Sequence, residues 1–215
     1  KEICALKDQF NFRLYVDDAH GVGTMGKQGI GTGDFLDLQN QIDIIFGTFA
    51  KSFSSIGAFI SSNKDVIEYL RYNTRSQIFA KSLPMPLVIG ALKRLEIMRS
   101  NLTLKDNLWN ITKKLQSGLK ENGFNLGDTK SCVTPVFLSG GVGEATNLTV
   151  DLRENYGIFC SIVTYPVVPK DVIMLRLIPT SNHTEEDVVK TISAFKEVKD
   201  KLFSGEYISD KIAKV

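Results

Sequence analysis

The chain has 215 residues, 43% of them hydrophobic and 23% charged, with a formal net charge of +2. That is the balance of an ordinary globular protein, long enough to bury a core. So small a charge excess gives no footing for nucleic acid or an anionic membrane, and apolar runs such as Leu87–Leu92 are far too short to span a bilayer.

Lys1–Phe12 lacks the basic start, apolar stretch and small-residue site of a signal peptide. The first residue is not methionine, and Arg13–Val16 already reads as a buried strand, so the chain is expected to be part of a longer protein. Six glycines between Gly21 and Gly33 mark a loop. Ile42–Thr48 reads as a strand buried on both faces. Ile56–Ser61 reads as its neighbour, with Phe49–Ser55 as the turn. Asn63 is a candidate cap for a helix over Lys64–Asn73. Pro84 and Pro86 precede a helical pattern over Leu87–Arg99, and a further helix is expected near Leu104–Glu121. Then come a strand (Pro135–Leu138), a Gly loop (Ser139–Gly143), a helix (Glu144–Tyr156), two strands (Ile158–Thr164 and Val172–Ile178) and a long helix (Thr184–Phe203). Acids at Glu185, Glu186 and Asp187 suit the start of that last helix. His183 reads as part of the same start. Interleaved strands and helices make the class α/β or α+β. The three cysteines, Cys4, Cys132 and Cys160, have no paired spacing and read as reduced thiols in a cytoplasmic protein.

Three groups of residues could carry chemistry. Val16-Asp17-Asp18-Ala19-His20-Gly21 puts two carboxylates and an imidazole at the C-terminal end of a strand, where α/β proteins place ligands. It reads equally as a polar turn. Gly47-Thr48-Phe49-Ala50-Lys51-Ser52-Phe53 puts a lysine among small and hydroxyl residues just past an apolar strand. Burial there would lower its pKa and make it a Schiff-base former; a solvated turn lysine is the plainer reading. Leu175-Arg176-Leu177-Ile178 centres an arginine in an apolar strand. Either it binds an anion through paired hydrogen bonds or its head reaches solvent at a sheet edge.

Taken together and in order, these segments resemble the α-oxoamine synthases of the fold-type I pyridoxal-phosphate enzymes. VDDAHGVGTMGKQGIGTGDF, IDIIFGTFAKSFSSIGAFI, RSQIFAKSLPMP, GIFCSIVTYPVVP and MLRLIPTSNHTEEDV each look like a family segment. The resemblance implies part of the large mixed-sheet cofactor domain over residues 1–83, a connecting helix over 84–106 and a small α+β C-terminal domain over 107–215. It implies that Asp17 bonds the pyridine nitrogen, His20 the phenolic oxygen and Thr48 the phosphate. Lys51 would carry the pyridoxal 5'-phosphate and shuttle a proton, and Arg176 would hold the amino-acid carboxylate. Ser82 would reach the phosphate of a neighbouring subunit in a homodimer with shared active sites. Asp18 and a metal have no place in this scheme.

SQIFAKSLPMP with GTFAKSF looks most like the bacterial serine palmitoyltransferases of the family. That implies decarboxylative condensation of L-serine with a long-chain acyl-coenzyme A, with transient contact at a membrane surface for the lipid product. One departure is that Thr164–Pro169 (TYPVVP) lacks an arginine that some of those enzymes carry there. The alternatives are 8-amino-7-oxononanoate synthase, 2-amino-3-ketobutyrate ligase and, in another class, a non-catalytic partner subunit, which would have no need of Lys51.

Overall fold

A computed structural model describes residues 1–208. They divide into two compact units at Lys105/Asp106, within the first turn of a long helix.

The first unit begins with a short helix, α1 (Glu2–Ala5), and a strand, β1 (Tyr15–Asp17). β1 starts two residues later than Arg13 because the Leu14 N–H is taken by the Asp43 carboxylate at 2.6 Å. A glycine-rich turn region leads to α2 (Thr32–Leu36), then β2 (Ile44–Thr48) and β3 (Ala58–Ser61). β1 and β2 run parallel, with Asp17 opposite Phe46, while β2 and β3 are antiparallel neighbours, with Thr48 opposite Ala58. The β2–β3 pairing and the turn between them are as the sequence indicated. Next come α3 (Lys64–Asn73), α4 (Arg75–Ile78) and α5 (Met85–Ser100). The Asn63 side chain caps α3 by accepting from the Val66 N–H at 3.0 Å.

One expectation fails in this unit. β2 is not buried on both faces: only Gly47 is buried, the other four residues are half-buried, and Tyr15 on β1 is 52% exposed. One face of the sheet borders an apolar groove of about 860 Å³ lined by Ile45, Phe59, Leu87, Ala91 and Leu95. The first half of α5, Met85–Leu92, is apolar on all sides, leaving Met85, Ile89 and Leu92 exposed, the composition of a segment meant to be surrounded.

The second unit contains most of α6 (Thr103–Glu121), then β4 (Thr134–Ser139), α7 (Val142–Tyr156), β5 (Ser161–Val163), β6 (Val172–Leu177) and α8 (Glu185–Ser204). Its sheet has β6 in the middle, antiparallel to β4 on one side and β5 on the other. Leu119, Val136, Leu148, Leu152, Ile173, Leu175 and Phe195 form one continuous core without solvent exposure. The helix starts are well satisfied: Glu144 accepts from the Gly141 N–H at 2.6 Å, and Thr184 and Asp187 exchange hydrogen bonds at 2.8 and 3.2 Å. His183 accepts from the Thr180 N–H at 2.9 Å just before α8. β5 is shorter than expected because the Ile158 N–H closes the end of α7 onto Leu152 O (2.9 Å), with Gly157 left-handed at φ +67°. A donor spent on that cap cannot start a ladder.

Among the described residues, no helix is long and apolar enough to cross a membrane.

Candidate active site

Parallel β1 and β2 bring their C-terminal ends to one edge of the first sheet, and four of the proposed residues collect there. Asp17 ends β1 and Thr48 ends β2. Since Asp17 lies opposite Phe46, Asp17 and Thr48 share a face. His20 follows in the turn after β1, and Lys51 in the turn after β2.

The two turns are tied to each other. Ser52 Oγ donates to Val22 O at 2.8 Å. Below, Phe53 is buried, and its ring meets Phe49 edge-on at 5.1 Å. The Phe49 ring in turn lies 5.5 Å from Phe59 on β3. Apolar anchors on one side and a hydroxyl latch on the other fix the backbone that carries Lys51. Neither Ser52 nor Phe53 was picked out as functional from the sequence, although the hydroxyl beside the lysine and the paired phenylalanines were signals in plain view.

The adjacent aspartates differ completely in setting. Asp17 is exposed; its Oδ1 accepts from the Ala19 N–H at 3.1 Å, and Oδ2 has no partner among the described residues. Asp18 is 7% exposed and fully occupied by Thr32. A Cβ at Gly21 or Gly31 would lie 2.0 or 2.1 Å from its carboxylate oxygens, so both positions are held by residues without one.

Lys51 is exposed, the plainer of the two readings its sequence setting allowed. Its side chain has no hydrogen-bond or ion-pair partner among the described residues. Thr48 Oγ1 donates to Gly57 O (3.2 Å) and accepts from the Ala50 N–H (3.1 Å), so its proton serves the lysine turn here. Ser82 is exposed in the stretch before α5; the next residue, Leu83, sits beside Gly57.

Arg176 belongs to the second unit. It is half-buried on the face of β6 away from the core, with Nε donating to Ser161 Oγ at 3.2 Å. It makes no ion pair among the described residues. Cys160, next to Ser161, is buried, and burial pushes its thiol up to about 11. It therefore stays a neutral thiol at physiological pH and is no nucleophile.

An amine without a partner, a carboxylate with one oxygen to spare and an imidazole at one sheet edge form a donor set that fits pyridoxal phosphate. The sequence profile of the family described as Aminotransferase class I and II matches residues 1–195. The chain belongs to that family. Within it, the chain is 56% identical over 207 residues to a cysteate-C-fatty acyltransferase of Capnocytophaga ochracea, covering 96% of this chain and 49% of the relative. It is 36% identical to a serine palmitoyltransferase of Sphingobacterium spiritivorum, covering 91% of this chain and 50% of that one. A serine palmitoyltransferase from S. paucimobilis, solved with a bound pyridoxal phosphate–myriocin aldimine, superposes with a TM-score of 0.85 at 27% identity, over 94% of this chain and 51% of the other. The α-oxoamine synthase family, the fold type and the pyridoxal-phosphate cofactor expected from the sequence therefore stand. The likeness to serine palmitoyltransferase is weaker than that to the cysteate enzyme. The chain spans about half the length of the relatives it matches.

Proposed function

We propose that the full-length enzyme condenses L-cysteate with a long-chain fatty acyl-coenzyme A, releasing carbon dioxide and coenzyme A and leaving an aminoketone that keeps the sulfonate. The observation that carries the amino-acid choice is the 56% identity to the cysteate enzyme across 96% of this chain, against 36% to the serine enzyme. The absence of an arginine from Thr164–Pro169 goes the same way, since it parts this chain from some serine enzymes.

Pyridoxal phosphate supplies the electron sink that lets a bond at the amino-acid α-carbon break. Lys51 would hold the cofactor through its Nζ and would take the α-proton of the substrate. Asp17 would keep a proton on the ring nitrogen. His20 holds the phenolic oxygen. Thr48 and Ser82 would serve the phosphate, Ser82 across a homodimer interface. Arg176 holds the amino-acid carboxylate. The enzyme works in the cytoplasm and releases a lipid product at a membrane surface.

L-Serine is the second reading, favoured by relatives and solved structures that cover more than nine-tenths of this chain. The test is coenzyme A release by purified full-length enzyme with L-cysteate, L-serine and L-alanine in turn. The expected result is the highest kcat/KM with L-cysteate. A higher value with L-serine would overturn the proposal.

A further inference from the structure

We infer that Ser161 is a positioning residue for Arg176, turning its guanidinium so that the two terminal nitrogens meet the substrate carboxylate end-on. This rests on the reading of Arg176 as the carboxylate site.

The two residues are direct cross-strand partners, since β5 and β6 pair with Ser161 opposite Arg176. Their side chains therefore stand on the same face, within reach by register alone. The bond from Nε to Ser161 Oγ, at 3.2 Å, uses the one guanidinium N–H that lies on the stem side. An arginine can meet a carboxylate bidentately either through Nε and one terminal nitrogen or through both terminal nitrogens. With Nε committed to Ser161, the second edge is the one presented.

The surroundings leave this hydroxyl as the polar side chain that orients the group. Arg176 faces Pro135 on β4, and the next pairs on the same face, Met174 with Phe137 and with Val163, bring no charge and no polar side chain. No carboxylate is paired with the guanidinium among the described residues. Without Ser161 Oγ the guanidinium would turn freely about its stem, and ordering it would fall on substrate binding.

The test uses steady-state kinetics of the full-length holoenzyme. Ser161→Ala should raise KM for the amino acid roughly three- to tenfold, the worth of one modest hydrogen bond. The kcat, the KM for the acyl thioester and the thermal midpoint should stay near wild type. Ser161→Thr keeps the hydroxyl and should restore the amino-acid KM. Arg176→Lys should raise the same KM, and adding Ser161→Ala to it should raise it no further. An unchanged amino-acid KM in Ser161→Ala, or an equal further rise in the Arg176→Lys background, would overturn the inference. An unchanged KM in Arg176→Lys itself would instead overturn the reading of Arg176. L-Cysteate and L-serine should be affected alike. An effect on L-cysteate alone would move the guanidinium to the sulfonate and overturn the carboxylate assignment.

Discussion

Asp18 accepts two hydrogen bonds from Thr32, one from the backbone N–H at 2.7 Å and one from Oγ1 at 2.6 Å. The pair closes the glycine-rich loop on itself, and so sets the path of the turn that carries His20. Thr32→Val deletes one donor to a buried carboxylate. In urea unfolding of the full-length enzyme it should cost about 1–3 kcal/mol. An unchanged midpoint would mean that the loop is held by other contacts.

Asp17 should behave in the opposite way. It is exposed and carries one local hydrogen bond. Asp17→Asn should shift stability by no more than about 0.5 kcal/mol. It should still bind cofactor and lose most turnover, because an amide cannot hold a proton on the ring nitrogen. Near-wild-type turnover would remove Asp17 from the site.

Lys51→Ala should abolish the visible absorption that borohydride removes from the wild-type holoenzyme. The fold should be unaffected, because the side chain is exposed and makes no hydrogen bond or ion pair among the described residues. If the variant keeps that absorption, another lysine carries the cofactor.

A pH effect is expected in the second unit. Asp151 accepts from Lys201 Nζ at 2.8 Å, Tyr207 OH at 2.6 Å and Asn155 Nδ2 at 2.5 Å. Burial raises its pKa, but the three hydrogen bonds together outweigh burial and hold the carboxyl below its ordinary value. A depressed pKa gives stability that is complete above the unfolded value of about 3.9 and is lost as pH falls through the folded value. Lys201 is pushed up, first by the hydrogen bond to Asp151 and then by Tyr156. Its contribution is complete below about 10.4 and lost as pH rises through the folded value. Asp151→Asn should therefore cost about 1–2 kcal/mol at neutral pH, the low end for charged hydrogen bonds, because the Lys201 side chain is 32% exposed. Thermal midpoints against pH should show a flatter acid limb in the variant; parallel curves would place acid sensitivity elsewhere.

The 215-residue chain expressed alone should be inactive, and limited proteolysis should degrade Lys1–Leu83 while leaving a resistant C-terminal piece. The second unit has a continuous core, whereas the first leaves Tyr15, Ile56, Ile60 and Phe79 between 40% and 79% exposed. Equal resistance throughout, with a borohydride-sensitive chromophore at micromolar pyridoxal phosphate, would refute this.

The helices were legible because their signals are local: Asn63 caps where the sequence put it, and the acids Glu185, Glu186 and Asp187 fall in the first turn of α8. The site segments were legible because chemistry-bearing residues follow apolar strands at fixed offsets. What the sequence hid was competition for donors and space. Leu14 and Ile158 look like strand residues, yet their N–H groups serve Asp43 and the end of α7. Asp17 and Asp18 are the same residue type one position apart, and only the fold shows that Thr32 claims the second. Lys51 could be read as buried or as a solvated turn lysine, because an apolar strand before it does not say whether a covering layer lies over the turn; it is exposed.

Gly47 carries one more consequence. A Cβ there would lie 2.3 Å from the tip of the Phe59 ring. The ring thus occupies the volume of the missing side chain, and Phe59 in turn touches Phe49 and through it Phe53. Beneath the turn that carries Lys51 lies a chain of three rings in contact, the last of them against the bare backbone of Gly47. A single methyl at position 47 would act as a shim, lifting the nitrogen of a lysine four residues away without touching it.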